Sequence, residues 1–177
     1  MKRKEWGKII AALILIAGAA SVPLLTDCNH KEGAFLVSLS RIYAIWQNMG
    51  SVFPVRILPM ETYEYGYEAA FFQADVFYFV PALLGLLGMS LDMAYKAALL
   101  FANIATAAAA YLCFGKCFGK RGVGLAGSML FTWCPYRLNE MYVNGDLGEV
   151  FGWIFLPAAV SCFMELCMMD RTKREYG

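Results

Sequence analysis

The sequence predicts an all-α membrane protein with about four transmembrane helices and a long outer loop that carries interfacial amphipathic helices. Three observations predict it. Of 177 residues, 60% are hydrophobic and only 16% are charged, where a soluble domain carries about a quarter. Apolar runs recur at lengths close to one bilayer crossing. Basic residues collect in the segments that such crossings place on a single side.

The first run, IIAALILIAGAASVPLL at 9–25, follows the basic start MKRKEWGK. It reaches about 17 residues, the lower limit for spanning. It reads as an uncleaved anchor rather than a signal peptide, although AGAAS offers small residues for cleavage. LTDC at 25–28 echoes a lipoprotein cleavage site, but Asp27 sits where a small residue is needed.

A long loop follows, 27–91, about a third of the chain. Within GAFLVSLSRIYAIWQNMG, residues Phe35, Leu39, Ile42 and Trp46 recur at helical spacing. That pattern predicts an amphipathic helix on the membrane surface. SVFPVRILP reads as an extended segment whose prolines exclude helix, and the aromatic, acidic METYEYGYEAAFF follows. The run AAFFQADVFYFVPALLGLLGM at 69–89 is long enough to span, yet it has Gln73 and Asp75 near its start, Pro81 inside and no basic flank.

Three more runs complete the chain: 93–115, rich in the small residues that let membrane helices approach closely; 122–136, short, with Gly124 and Gly127 ahead of Pro135; and 148–169. Charge decides the ambiguous 69–89. With that run lying at the interface, Lys2, Arg3, Lys4, Lys8, Lys116, Lys120, Arg121, Arg171, Lys173 and Arg174 share one side with only Glu5, Glu165, Asp170 and Glu175. The other ten acids fall on the opposite side. If 69–89 spanned, KCFGKR would be translocated, against the positive-inside rule. The expected organisation is therefore 1–26, basic start and first span; 27–91, outer loop; 92–177, three spans with a basic inner turn. Both termini are expected in the cytoplasm.

Composition also excludes. No cationic stripe with interleaved aromatics is present to neutralise phosphates, so nucleic acid is not an expected partner; membrane lipid is. Cys113 and Cys117 are spaced i, i+4 with no second pair or nearby His to complete a zinc site, and no metal ligands are expected. The six cysteines read as free thiols rather than a disulfide framework, with a Cys28–Cys134 pair on one side as the alternative. A transporter subunit is disfavoured because no charge falls clearly inside a run to mark an ion path.

FPVRILP, YGYEAAFFQADVFYFVPALLGLLGMSLDMAYK, CPYRL and YVNGDLGE resemble blocks of a bacterial multispanning family whose members are often labelled as related to 6-pyruvoyl-tetrahydropterin synthase. The resemblance runs from about residue 38 to 165. That family in turn resembles the GT-C glycosyltransferases, membrane enzymes that take a sugar from a polyprenyl-phosphate carrier on the outer side. Their plan is similar: an anchor, a long outer loop with interfacial helices, a span returning inward, a basic turn, and an outer acidic loop. The resemblance implies a GT-C-like N-terminal portion of a longer protein in a bacterial cytoplasmic membrane. Its expected partner is a polyprenyl-phosphate-linked sugar, and a divalent metal is left open as cofactor. A non-catalytic scaffold that binds a lipid or an envelope partner is the alternative.

Sugar transfer to a hydroxyl needs a carboxylate to take the proton and positive charge for the departing phosphate. Glu149 follows Gly148 at a helix start, where the dipole favours negative charge, and matches the family's Gly-Glu; it is the leading catalytic candidate. The first-loop motif departs from the family: Ala34 takes the aspartate position and Ser38 the histidine position, leaving Asp27 and Glu32 as acids that could substitute. Asp75 matches a family aspartate and sits in an apolar run, where an isolated charge is costly. Asp146 beside Gly145 reads as a turn residue. Arg137, with its planar fork, is the candidate contact for a lipid-linked phosphate. Arg41 and Arg56 match family arginines and serve pairing or phosphate binding. Tyr136 and Tyr142, flanking Arg137, complete the substrate candidates. Tyr63, Tyr65 and Tyr67 suit either sugar stacking or an interfacial belt. His30, on a polar loop, is assigned no role.

Overall fold

The computed structural model describes residues 2–25, 34–49 and 75–175, with side chains for 6–25, 35–49 and 76–167. The expected sites Asp27, Glu32 and Arg56, the tyrosines 63, 65 and 67, His30 and Cys28 lie outside the described residues. Every regular element among the described residues is helical.

Helix α1 covers Lys2–Ala20 and leads through Ser21 into a 3-10 turn at Val22–Leu25. Its last carbonyls need partners, as at any helix end, and side chains supply them. Ser21 Oγ donates to Ala17 O, Tyr142 Oη to Ala20 O, and Trp133 Nε1 to Ile16 O.

Helix α2, Ala34–Asn48, is the expected amphipathic helix. Ile42 and Ile45 are buried, and Phe35, Leu39 and Trp46 pack against the same core. A 3-10 turn at Asp75–Phe77 and helix α3, Phe79–Leu86, come next. With eight residues, α3 is about 12 Å long, well short of the ~30 Å hydrocarbon layer. Its Gly85 packs under the Trp46 ring, 3.2 Å from where a β-carbon would stand.

Helix α4, Leu91–Phe118, is the centre of the fold. Ser90 caps its start by accepting from Met93 N, and Gly119 ends it in the left-handed region. Ala94, Ala98, Ala102, Thr106 and Ala110 fall four residues apart and are all buried, giving a flat face on which neighbours pack closely. Helix α5, Arg121–Thr132, runs back along it. A β-carbon on Gly124 would stand 2.9 Å from Tyr111 O and 3.1 Å from Gly115 Cα, so only glycine permits this approach. Ser128 Oγ donates to Ala107 O across the same contact.

The 122–136 run does not continue as one helix. Pro135 holds its predecessor out of the helical region, and Cys134 has ψ 123°. The chain breaks at Trp133–Cys134 and resumes as a short helix α6, Pro135–Asn139, then a π turn, Glu140–Asn144. Gly145, at φ 71°, closes the turn through Gly145 N to Glu140 O. Helix α7, Leu147–Glu175, runs back along α4. Among the described residues two helices are long and apolar enough to cross a membrane: α4, and α7 over Leu147–Cys167. The apolar part of α1 is shorter, Trp6–Ala20, and α5 at twelve residues reaches about 18 Å.

The core gathers where α2, α3, the start of α4, the π turn and the start of α7 meet, with Ile42, Tyr78, Ala82, Leu99, Met141 and Val150 at its centre. Phe77 stacks on Phe151 with ring centroids 5.1 Å apart.

Candidate functional site

The 135–149 segment has two sides. One faces an open cleft of about 270 Å3 lined by Tyr136, Glu149, Gly152, Trp153 and Leu156. Glu149 is exposed on the first turn of α7, where the dipole favours its charge. Trp153 lies one turn on and faces Tyr136, ring centroids 5.8 Å apart. Glu140 stands behind, buried, its Oε2 accepting from Asn144 Nδ2 at 2.8 Å. The Glu140 carboxyl lies close to that of Glu149. Aromatic faces beside a carboxylate suit a ligand with apolar faces and hydroxyl edges.

The other side of the segment is closed. Arg137 is fully buried; its Nη1 donates to Thr132 O at 3.1 Å and its Nη2 to Thr106 Oγ1 at 3.2 Å. The sequence reading sets this arginine just beyond the end of a spanning run, as a candidate contact for a lipid-linked phosphate or an interfacial anchor. The structure instead brings it level with Thr106, about 22 Å along α4 from Leu91. The break at Trp133–Cys134 is the reason: α5 stops early and α6 turns Arg137 inward. Arg137 therefore does not line the cleft that holds Glu149. Tyr142 also turns inward, its hydroxyl on Ala20 O, while Tyr136 lines the cleft.

Asp146 behaves as the turn residue its place beside Gly145 suggests: its Oδ1 accepts from Gly148 N at 2.8 Å and from Tyr78 Oη at 3.4 Å. Arg41 is buried with its guanidinium carbon 5.6 Å from the centre of the Tyr78 ring, so it joins the core rather than the cleft. Burial pushes the Tyr78 hydroxyl up from its ordinary pKa and the Asp146 charge adds to this, while the neighbouring Ser38 and the Arg41 guanidinium pull it down. Asp75 opens the 3-10 turn ahead of Tyr78.

Ser38 bridges α2 to the start of α7. Its Oγ donates to Gly145 O at 3.0 Å and accepts from Leu147 N at 3.5 Å. Tyr95 Oη donates to the same carbonyl at 3.0 Å. Glu140, Trp153, Asn103, Thr106 and Thr132 are site residues that the sequence reading does not single out. The available signal was Asn103 and Thr106, polar residues one turn apart inside an alanine-rich apolar helix, which imply a polar partner.

Among the described residues no group of three or more His, Cys, Asp or Glu is placed to hold a metal ion. Cys113, Cys117 and Cys134 are free thiols, each half-buried. No family model, curated protein or solved structure matches the chain.

Proposed function

We propose that the chain is the membrane-embedded part of a GT-C-like glycosyltransferase-related protein that handles a polyprenyl-phosphate-linked sugar at the outer face of a bacterial cytoplasmic membrane. The observation that carries the reading is Glu149 in an open cleft with Tyr136 and Trp153, at the start of a helix able to cross the bilayer. In this reading α1, α4, the broken α5–α6 unit and α7 are the four crossings. The basic turn at Lys116–Arg121 and both termini are cytoplasmic, while α2 and α3 lie over the outer ends of α4 and α7.

The chemistry follows from the carboxyl pair. Glu149 accepts the acceptor hydroxyl's proton, with the Glu140 carboxyl beside it. The acceptor oxygen bonds to the anomeric carbon from the face opposite the lipid phosphate. The carbon–oxygen bond to that phosphate breaks with its electron pair, inverting the centre. Tyr136 and Trp153 offer ring faces to the sugar. Among the described residues no cation lines the cleft, so the leaving phosphate draws on a group outside that lining.

One observation favours the second reading, a non-catalytic scaffold that binds a lipid or envelope partner. Ser38, at the family's histidine position, is engaged in holding the 145–147 turn. Sugar transfer from a short-chain polyprenyl-phosphate donor, measured in lipid nanodiscs for wild type and Glu149→Gln, separates the two. Loss of a general base costs about 10²–10⁴-fold, so Glu149→Gln should lose at least 100-fold with the fold intact. Equal rates in the two proteins, or no transfer by folded wild type, leave the scaffold.

A further inference from the structure

A second cavity, larger than the cleft at Glu149, runs along α5. It is an open groove of about 470 Å3 between α4 and α5, lined by Phe114, Phe118, Val123, Ala126, Leu130 and Phe131. The packing of the two helices shapes it. A β-carbon on Gly127 would stand 2.7 Å from the Phe114 ring, so Phe114 rests against the α5 backbone. Phe131 meets Phe114 with ring centroids 6.3 Å apart. Phe118 and Leu130 remain more than half exposed. A continuous open apolar surface of this kind marks a place where something apolar lies.

The mouth of the groove is cationic. Phe118 and Val123 are joined by Gly119, Lys120, Arg121 and Gly122. Lys120 and Arg121 are exposed, and neither makes an ion pair among the described residues, whereas Lys116 is held by Glu165 at 2.7 Å. The first turn of α5 contains no acid, and no side chain caps it. From Val123 to Phe131 the lining follows α5 for about 12 Å, close to the depth of one leaflet of a ~30 Å hydrocarbon layer. Positive charge at one end and an apolar track one leaflet deep fit an amphiphile with an anionic head. A zwitterionic head brings its own cation to the mouth. A parallel second copy would set the same two cations against Lys120 and Arg121.

We propose that this groove binds an anionic phospholipid of the cytoplasmic leaflet, with one acyl chain along α5 between Phe118 and Phe131 and the head group at Lys120 and Arg121. The arginine fork and the lysine ammonium both suit a phosphate oxygen, and basic pockets between membrane helices on the cytoplasmic side take anionic head groups in this way. The head group sits at the opposite end of α5 from Tyr136 and the cleft that holds Glu149. This lipid is a resident of the α4–α5 pair and takes no part in sugar transfer. The inference rests on the proposed topology only for the choice of leaflet, and on neither of the two functional readings.

The test is lipid retention, read by native mass spectrometry of the full chain released from nanodiscs of equal dioleoyl phosphatidylglycerol and dioleoyl phosphatidylcholine. The proteins are wild type, the double variant Lys120→Gln with Arg121→Gln, Ala126→Trp and Met129→Trp, each checked for intact helix content by circular dichroism. One basic residue at an anionic membrane surface is worth about fivefold in binding, so two are worth roughly twentyfold. Wild type should therefore prefer phosphatidylglycerol by that factor, and the double variant should hold the two lipids about equally. Ala126→Trp fills the groove and should lose most of the bound phosphatidylglycerol. Met129 is exposed on the same helix but outside the lining, so Met129→Trp should retain as much as wild type. Equal retention of the two lipids by wild type overturns the proposal and leaves an ordinary lipid annulus. A preference unmoved by the double variant, retention unmoved by Ala126→Trp, an equal loss in Met129→Trp, or lipid-free dimers also overturn it. Transfer by wild type and Glu149→Gln is a separate measurement, so the transferase reading stands or falls independently of this result.

Discussion

Gly145 holds the corner where α2 meets the start of α7, and Gly145→Ala tests that corner directly. The residue sits at φ 71°, a region that costs a residue with a β-carbon roughly 1–2 kcal/mol. The added methyl would stand 2.7 Å from Phe35 Cβ, 3.1 Å from Phe35 Cα and 3.2 Å from Tyr95 Oη. Two of those three atoms belong to α2, one of them backbone, so the methyl is accommodated only by moving the helix. Forcing a methyl into a filled space costs about 1–3 kcal/mol more. The expected loss is about 2–5 kcal/mol from these two contributions. Gly119→Ala is the control: φ is 64°, but nothing lies within 4 Å of the added carbon, so only the conformational part applies. Equilibrium unfolding in nanodiscs gives the two losses. Amide exchange over α2 should rise in Gly145→Ala and not in Gly119→Ala. If the two variants agree within about 0.5 kcal/mol, the contact of α2 with the 145–147 turn is not as described, since sterics of this size cannot vanish.

Three further outcomes are expected. Because Tyr78 has its pKa raised by burial, the folded state holds that proton more tightly than the unfolded state. The associated stability is present below the ordinary tyrosine range and is lost as pH rises through it; unfolding measured at pH 8 and at pH 11 should show a shallower decline in Tyr78→Phe, and parallel declines would refute the assignment. Gly124→Ala should lose about 1–3 kcal/mol by overpacking against Tyr111 and Gly115, whereas Gly122→Ala, with open space around it, should be neutral or slightly stabilising in the same unfolding assay. In a cysteine-free background, Val143→Cys should react with a membrane-impermeant maleimide on intact cells and Lys120→Cys only after permeabilisation; the reverse pattern would invert the proposed orientation.

What could be read from the sequence is what depends on local order. The spacing of Phe35, Leu39, Ile42 and Trp46 predicts α2, and that helix does bury this face. The apolar runs at 93–115 and 148–169 predict α4 and α7, because length and hydropathy are properties of the run alone. Glu149 at a helix start and Asp146 in a turn beside Gly145 follow from capping and turn chemistry. The remainder depends on the break at Trp133–Cys134. Pro135 announces that α5 must stop, but not which way the chain leaves. An arginine two residues past a stop reads equally as a surface anchor or a buried charge. The answer was held on another helix, in Asn103 and Thr106: an apolar, alanine-rich face interrupted by two polar side chains one turn apart has to meet something polar. Arg137 and Tyr142 are the groups it meets. Glu140 escaped notice for the opposite reason. It was one of three acids in a stretch that reads as a solvated loop, and only the π turn that buries it sets its carboxyl against Glu149. Both omissions are pairings across space, so the useful sequence signal in a helical membrane protein is the unexplained polar residue within a run, read as a demand for a partner elsewhere.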